Sequence, residues 1–382
     1  MLTLQRKARH VLAVAGGKGG VGKSIFSITL AASLTGMGYK VVLVDLDLGG
    51  ANLHTYLGII GKTPSLAQFF QKKAKTLDEI LVTTKVPGLK LISGSHYLPA
   101  MSSPGASLKM KLLRHIKALD ADFIVIDLGA GMDLNTLDFF ISSDIGFIVT
   151  MAEPGAIMNA YRFIKGTLFR RLHGVFKNHP QLAQILESMS MDSAYDDSLM
   201  LNAFIEKVME TDPSVYPLVN EISTGFRPCL VLNRIALEES NNLVGTLISH
   251  CATKYNVQLN YLGNLPDSRE ISTYLLDIPG FLRAAVSSGF IKSLKSIVRK
   301  FLLGIHDTNV LLEKLKLRKV YDDETITKIG ALIDIQDDAL LTPPEKKLWH
   351  LRLFFKPAEV AAFLLCKGVK DNIFFEQRYH GE

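Results

Sequence analysis

Cysteine is scarce. Cys229, Cys251 and Cys366 are the three in a chain of 382 residues, far apart and with no Cys-x-x-Cys pair. That spacing excludes a disulfide framework and argues against a zinc or iron–sulfur site built from cysteines of one chain. A strong charge of one sign is also lacking. Lys plus Arg is 43 against 37 Asp plus Glu, a net +6, too mild to establish binding to nucleic acid or an acidic membrane. No apolar run approaches the roughly 18 residues of a membrane span. The apolar stretch after the basic residues 1–10 breaks at Gly16-Gly17, too short for a secretory signal. What is present is 48% hydrophobic and 21% charged residues, enough to bury a core and too apolar for wholesale disorder. The expectation is a cytoplasmic globular protein with one large α/β domain and an appendage.

Short Val/Ile/Leu-rich runs alternate with helical patterns, which predicts a mostly parallel, twisted sheet with helices on both faces. The runs are 10–15, 40–46, 89–93, 122–128, 145–151, 228–233 and 259–262; helical stretches between them include 24–36, 107–119 and 134–142. The rhythm breaks once. Residues 162–225 read as several helices (167–176, 180–191, 197–209 and 215–224). A crossover needs only a dozen or so residues plus a helix, so the excess reads as a helical insertion. After residue 303 the alternation stops, and 309–318, 324–335, 345–355 and 358–366 look helical, with Pro343-Pro344 and Pro357 as breakers. The organisation expected is an α/β domain over 1–303, interrupted at 162–225, and a helical extension over 304–382.

The strongest chemical signal is Gly16-Gly17-Lys18-Gly19-Gly20-Val21-Gly22-Lys23-Ser24. It satisfies G-x-x-x-x-G-K-[ST] between a strand and a helix. Its glycines let successive backbone N–H groups face one concavity that fits phosphate oxygens. Lys23 adds a cation near the terminal phosphates, and the Ser24 hydroxyl suits Mg²⁺. The positive end of the next helix points to the same place. A glycine-rich turn that happens to precede a helix is the competing reading, and the strand and helix context weighs against it.

Two more strands end in carboxylates. Residues 40–47 form an apolar run closing on Asp45-Leu46-Asp47, and residues two apart on a strand share a face. In an open parallel sheet, ligands sit beyond the carboxyl ends of the strands. Residues 122–131 deliver Asp127, which reads as a carboxylate holding Mg²⁺ through water. Gly131, four residues on, can turn its N–H toward a γ-phosphate.

With its second lysine, Lys18, the loop resembles the deviant Walker motif of the MinD/ParA/Mrp class of P-loop ATPases. Asp45 to Leu53 and Asp127–Gly131 resemble the MinD/FlhG branch. Two later segments fit the resemblance, Cys229-Leu230-Val231-Leu232-Asn233-Arg234 and Leu262-Gly263-Asn264-Leu265-Pro266-Asp267. The resemblance covers about residues 8–303 outside the insertion. It implies that residues 17–24 bind ATP, with Gly17, Gly19, Gly20, Val21 and Gly22 in the cradle. By the same resemblance Lys18 reaches a partner's nucleotide in an ATP-dependent homodimer, and Asp47 positions the attacking water. Ser24, Asp45 and Asp127 serve Mg²⁺, while Asn233, Arg234, Pro266 and Asp267 lie against the adenine.

The role this implies is a slow ATPase switch that sets the placement or number of a cellular structure, a flagellum or division site, with an unidentified protein partner. The alternatives are a ParA-like partition ATPase on nonspecific DNA and an Mrp-like iron–sulfur carrier, the latter disfavoured by the missing Cys-x-x-Cys. The chain departs from the branch at both ends. Residues 4–9 lack the Asp-Gln-Ala motif of FlhG proteins, and residues 374–382 are not the basic amphipathic helix that ends MinD. Peripheral contact with the inner face of the cell membrane is left open. One membrane candidate has Phe290, Ile291, Leu294, Ile297, Val298, Phe301 and Leu302 on one helical face among four cations. Acidic lipid would supply about 1 kcal/mol per cation, whereas burial supplies roughly 1.5–3 kcal/mol per side chain, so this face reads as core. The segment 346–355, with the only Trp, is the better candidate for an exposed interaction helix.

Overall fold

The computed structural model describes residues 10–94, 105–191, 200–235 and 241–305. The expected helices of the extension, the segment around Trp349 and both chain ends lie outside the described residues.

In chain order the elements are β1 (His10–Ala15), α1 (Lys23–Gly36), β2 (Val41–Leu46), α2 (Leu53–Tyr56), α3 (Leu66–Phe70), β3 (Val82–Thr83), β4 (Leu89–Ile92), α4 (Ala106–Ala118), β5 (Phe123–Leu128), α5 (Leu134–Ile141) and β6 (Ile145–Met151). They continue as α6 (Pro154–Phe176), α7 (Pro180–Met191), α8 (Met200–Thr211), α9 (Tyr216–Thr224), β7 (Cys229–Ile235), α10 (Asn241–Tyr255), β8 (Asn260–Pro266), α11 (Arg269–Thr273), α12 (Ile278–Ala284) and α13 (Gly289–Ile305). The strands form one sheet in the order β3-β4-β2-β5-β1-β6-β7-β8. All neighbours are parallel except β3, which pairs antiparallel with β4.

The central strands are buried on both faces because both sides of their pleat are apolar. On one face Val11, Ala13, Val42, Val44, Ile124 and Ile126 join a core with α5 and α6 side chains. Leu12, Val14, Val125 and Phe147 alternate to the other face, where Phe26 of α1 meets the Phe147 ring at 5.6 Å. By the same alternation Asp45 and Asp127 point to the α1 side. They are direct neighbours across β2 and β5.

Helix after β6 begins earlier than the sequence suggests, but the helical excess itself begins later, at α7. α6 runs unbroken from Pro154, with proline in its first turn, and packs on β6 and α5. It is therefore the ordinary sheet-covering helix, and α7, α8 and α9 are the addition, packed on α6 and α10. An ion cluster ties α4, α5 and α6 together. Asp138 pairs with Lys109 and accepts from Arg170 Nε at 2.7 Å. The chain divides into two compact units, Met1–Thr35 with Tyr39–Leu294 and Gly36–Gly38 with Lys295–Glu382, a boundary inside α13. Every residue of the apolar face of α13 singled out above is buried.

Candidate functional site

β1 lies between β5 and β6, and its carboxyl end opens into the glycine loop. Two glycines there have measurable reasons. A Cβ on Gly17 would sit 2.1 Å from the carbonyl oxygen of Asn159, a backbone collision with the start of α6. Gly22 has φ +92°, and a Cβ there would lie 2.1 Å from Asn233 Nδ2. Val21 is buried and anchors the loop, and α1 begins at Lys23, itself only 7% exposed. Lys18, Gly19 and Gly20 stay exposed at the mouth.

Asp127 at the end of β5 is the centre of the site. Ser24 Oγ donates to its Oδ2 at 2.7 Å and Ser27 Oγ to its Oδ1 at 2.7 Å. Burial pushes the Asp127 carboxyl up to about 6; the two hydroxyls and Lys23 work against that rise, and Asp47 adds to it. Asp45 is also pushed well above the carboxylate range, first by burial and then by Asp127. The Asp127 carboxylate and the Ser24 hydroxyl offer oxygens that fit Mg²⁺, and the buried Lys23 beside them is a cation that fits phosphate.

Asp45 departs from its expected place in the metal shell. Its Oδ1 accepts from the N–H of Asp47 at 3.2 Å and its Oδ2 from that of Leu53 at 3.1 Å. Both oxygens thus serve the backbone of the segment 47–53, which Asp45 shapes. Asp47 follows β2 half-buried, and its carboxylate lies beside Gly50 and Gly129, at the same strand ends as Asp127.

Two other expectations meet a different geometry. Gly131, at φ +103°, donates its N–H to Gly16 O at 3.4 Å rather than into the open concavity. Asn233 sits where β7 and β8 lose register, and Arg234 next to it adopts φ +55°. This bulge turns Asn233 so that Nδ2 donates to Val21 O at 2.9 Å. The amide nitrogen expected to read adenine instead ties β7 to the phosphate loop, because the bulge brings the short side chain against Gly22. Pro266 ends β8 opposite Ile235, with Asp267 exposed beyond it. These residues do converge on one end of the sheet.

Sequence reading missed three participants. Ser27 lies one turn after Ser24 on α1, and that i, i+3 spacing is the signal that could have found it. Glu153 is the ion partner of Lys18, Nζ to Oε2 3.7 Å. Asn159 matters through its backbone, which carries no side-chain signal.

The family model described as ParA, NUBPL iron-transfer P-loop NTPase matches residues 7–205. The chain belongs to this family. Among curated relatives of the ParA-family chain, the flagellum site-determining protein YlxH of Helicobacter pylori is 40% identical over 158 residues. That stretch is 40% of this chain and 52% of that protein. The antiactivator FleN of Pseudomonas aeruginosa is 33% identical over 174 residues, 44% of this chain and 58% of that protein. The chain spans about half the length of the curated relatives it matches. In fold, it is similar to the septum site-determining protein MinD of Pyrococcus horikoshii, solved with Mg-ADP. The TM-score is 0.52 at 18% identity, covering 78% of this chain and 98% of that one. Among the described residues, no helix is long and apolar enough to cross a membrane.

Proposed function

We propose that this ParA-family NTPase binds Mg-ATP at residues 17–24 and hydrolyses it slowly as a dimerisation switch. The observation that carries the reading is Asp127, buried and held at 2.7 Å by Ser24 at the start of the helix that Lys23 opens. Ser24 and Asp127 would hold the magnesium ion, whose charge offsets that of the phosphates. Lys23 binds the terminal phosphates, the loop N–H groups cradle them, and Asp47 orients the water. Gly131 and Asn233 take part once their bonds to Gly16 and Val21 exchange for ligand contacts.

Lys18, 48% exposed in its side chain and paired among the described residues with Glu153 at the surface, can cross to a second subunit at little cost, since such pairs contribute about 0–1 kcal/mol. Hydrolysis then waits for assembly, and loss of the γ-phosphate releases the segment 47–53.

The cellular role proposed is control of the placement or number of a flagellum or division site, supported by the likeness to YlxH and FleN, through a protein partner. The iron-transfer sense of the family description has less support. Cys229 and Cys251 are buried, and burial pushes each thiol up to about 12, so neither offers a thiolate to a metal.

Light scattering with Mg-ATP tests the switch. Lys18→Ala is expected to stay monomeric and Asp47→Ala to accumulate as dimer. A chain that is monomeric with every nucleotide, including Asp47→Ala with ATP, refutes it. Co-sedimentation of Asp47→Ala with liposomes and with duplex DNA then identifies the surface on which the dimer acts.

A further inference from the structure

Ser24 and Ser27 stand one helical turn apart on α1 and grip opposite oxygens of the same carboxylate, each at 2.7 Å. Ser24 has an assigned task. Ser27 has none, and nothing in the loop pattern calls for a hydroxyl at that position. Its side chain has no exposed surface.

A mid-helix serine commonly satisfies itself on the carbonyl four residues back, and Ser27 Oγ does lie 3.0 Å from Lys23 O. One hydroxyl carries one hydrogen, however. The acceptor at 2.7 Å is a buried carboxylate and the acceptor at 3.0 Å a neutral carbonyl that also serves the helix. Charge-assisted hydrogen bonds are the shorter and stronger kind, so the hydrogen goes to Asp127. Alanine would fit the same space and favour the helix more.

We infer that Ser27 is a positioning residue that pins Oδ1 of Asp127, so that the carboxylate keeps Oδ2 turned to Ser24 and presents a preformed site for the divalent ion. This rests on the nucleotide reading above. A carboxylate held by one hydroxyl can swing about its Cβ–Cγ bond; one held on both oxygens cannot. Ser27 acts through Asp127 and needs no contact with the ion. Groups standing one shell behind a metal site change its affinity by about 10–100-fold.

The test is binding, with Mn²⁺ as a paramagnetic probe and ADP as the nucleotide, on the full chain. Wild type, Ser27→Ala and the equal-sized pair Ser27→Thr and Ser27→Val are compared, each checked for fold by circular dichroism. ADP affinity is measured in EDTA, and free Mn²⁺ is then followed by electron paramagnetic resonance in the presence of ADP. Ser27→Ala is expected to weaken Mn²⁺ binding about 10–100-fold, with ADP affinity in EDTA within about twofold of wild type. Ser27→Thr, which keeps the hydroxyl, is expected to bind Mn²⁺ at least tenfold more tightly than Ser27→Val, and this pair decides the matter if the alanine variant does not fold. Wild-type Mn²⁺ affinity in folded Ser27→Ala, or Thr and Val behaving alike, overturns the inference. So does an equal loss of ADP affinity in EDTA, which would mean that Ser27 only packs the loop. Wild type that binds no ADP at all refutes the nucleotide reading itself, an outcome recognisable because it needs no variant.

Discussion

Asp127→Asn should make the metal-free protein more stable at neutral pH while weakening its hold on Mg²⁺. The unfolded chain releases the Asp127 proton near 3.8 and the folded chain near 6. Between these values the folded state binds more protons than the unfolded one, so stability falls as pH rises and the full loss is reached above about 6. At about 1.4 kcal/mol per pH unit, the gap corresponds to about 3 kcal/mol. Asparagine carries no charge to bury, and its oxygen and amide can still pair with Ser24 and Ser27. It also removes the neighbouring charge that raises Asp45, which adds to the gain.

The assay is urea denaturation of wild type and variant in EDTA from pH 4.5 to 7.5. Their stabilities should diverge by about 2 kcal/mol across that window, since about 1 kcal/mol of the loss lies below pH 4.5, or about 4 °C in Tm at roughly 2 °C per kcal/mol. Titrating groups that Asp127 does not touch are common to both proteins and cancel in the difference; Asp45, which Asp127 raises, does not, and its relief in the variant widens the difference in the same direction. A difference that stays flat with pH refutes the reasoning, for it would mean that Asp127 is solvated or ionised at its ordinary value.

Gly17→Ala should lower stability by about 3 kcal/mol and abolish nucleotide binding, because its Cβ meets the Asn159 carbonyl at 2.1 Å. Gly19→Ala, whose Cβ meets nothing nearer than 3.9 Å, should change stability by less than about 0.5 kcal/mol, and thermal melts compare the two. Arg234 holds φ +55°, so Arg234→Gly should fold within about 0.5 kcal/mol of wild type and Arg234→Val should lose about 1–2 kcal/mol. Denaturant midpoints decide, and equal losses would remove the case for strain at the bulge.

The parts of this molecule that were legible in its sequence are those whose physics is local. A strand covered on both faces must be apolar throughout, so β1, β2, β5, β6 and β7 stand out as runs. A loop that approaches phosphate with its backbone must be rich in glycine. β3 was not legible, because two residues, Val82 and Thr83, carry no period. β8 was read as ending at 262 because Gly263 and Pro266 look like turn residues. Pairing with β7, broken only by the bulge, carries it to Pro266. α6 was entered late because Gly155 and Gly166 dilute its helical pattern, while its packing on β6 and α5 holds it from Pro154 onward.

The candidate site divides along the same line. Ser24 and Asp127 could each be named alone, since a known loop and a strand end mark them. The bonds that make them a site join residues 103, 100 and 212 apart in the chain, Ser24 and Ser27 to Asp127 and Asn233 to Val21. Those contacts follow from the order β2-β5-β1-β6-β7, which sets β5 against β1 and turns Asp127 toward α1. The same alternation of strands and helices would be written in the sequence if β5 stood elsewhere in the sheet. Ser27 would then be an ordinary helix serine bonded to Lys23 O, and Asn233 an ordinary strand-end asparagine. Strand order turns them into parts of a phosphate site, so a hydroxyl one turn past a phosphate loop acquires meaning only once the strand facing it is known.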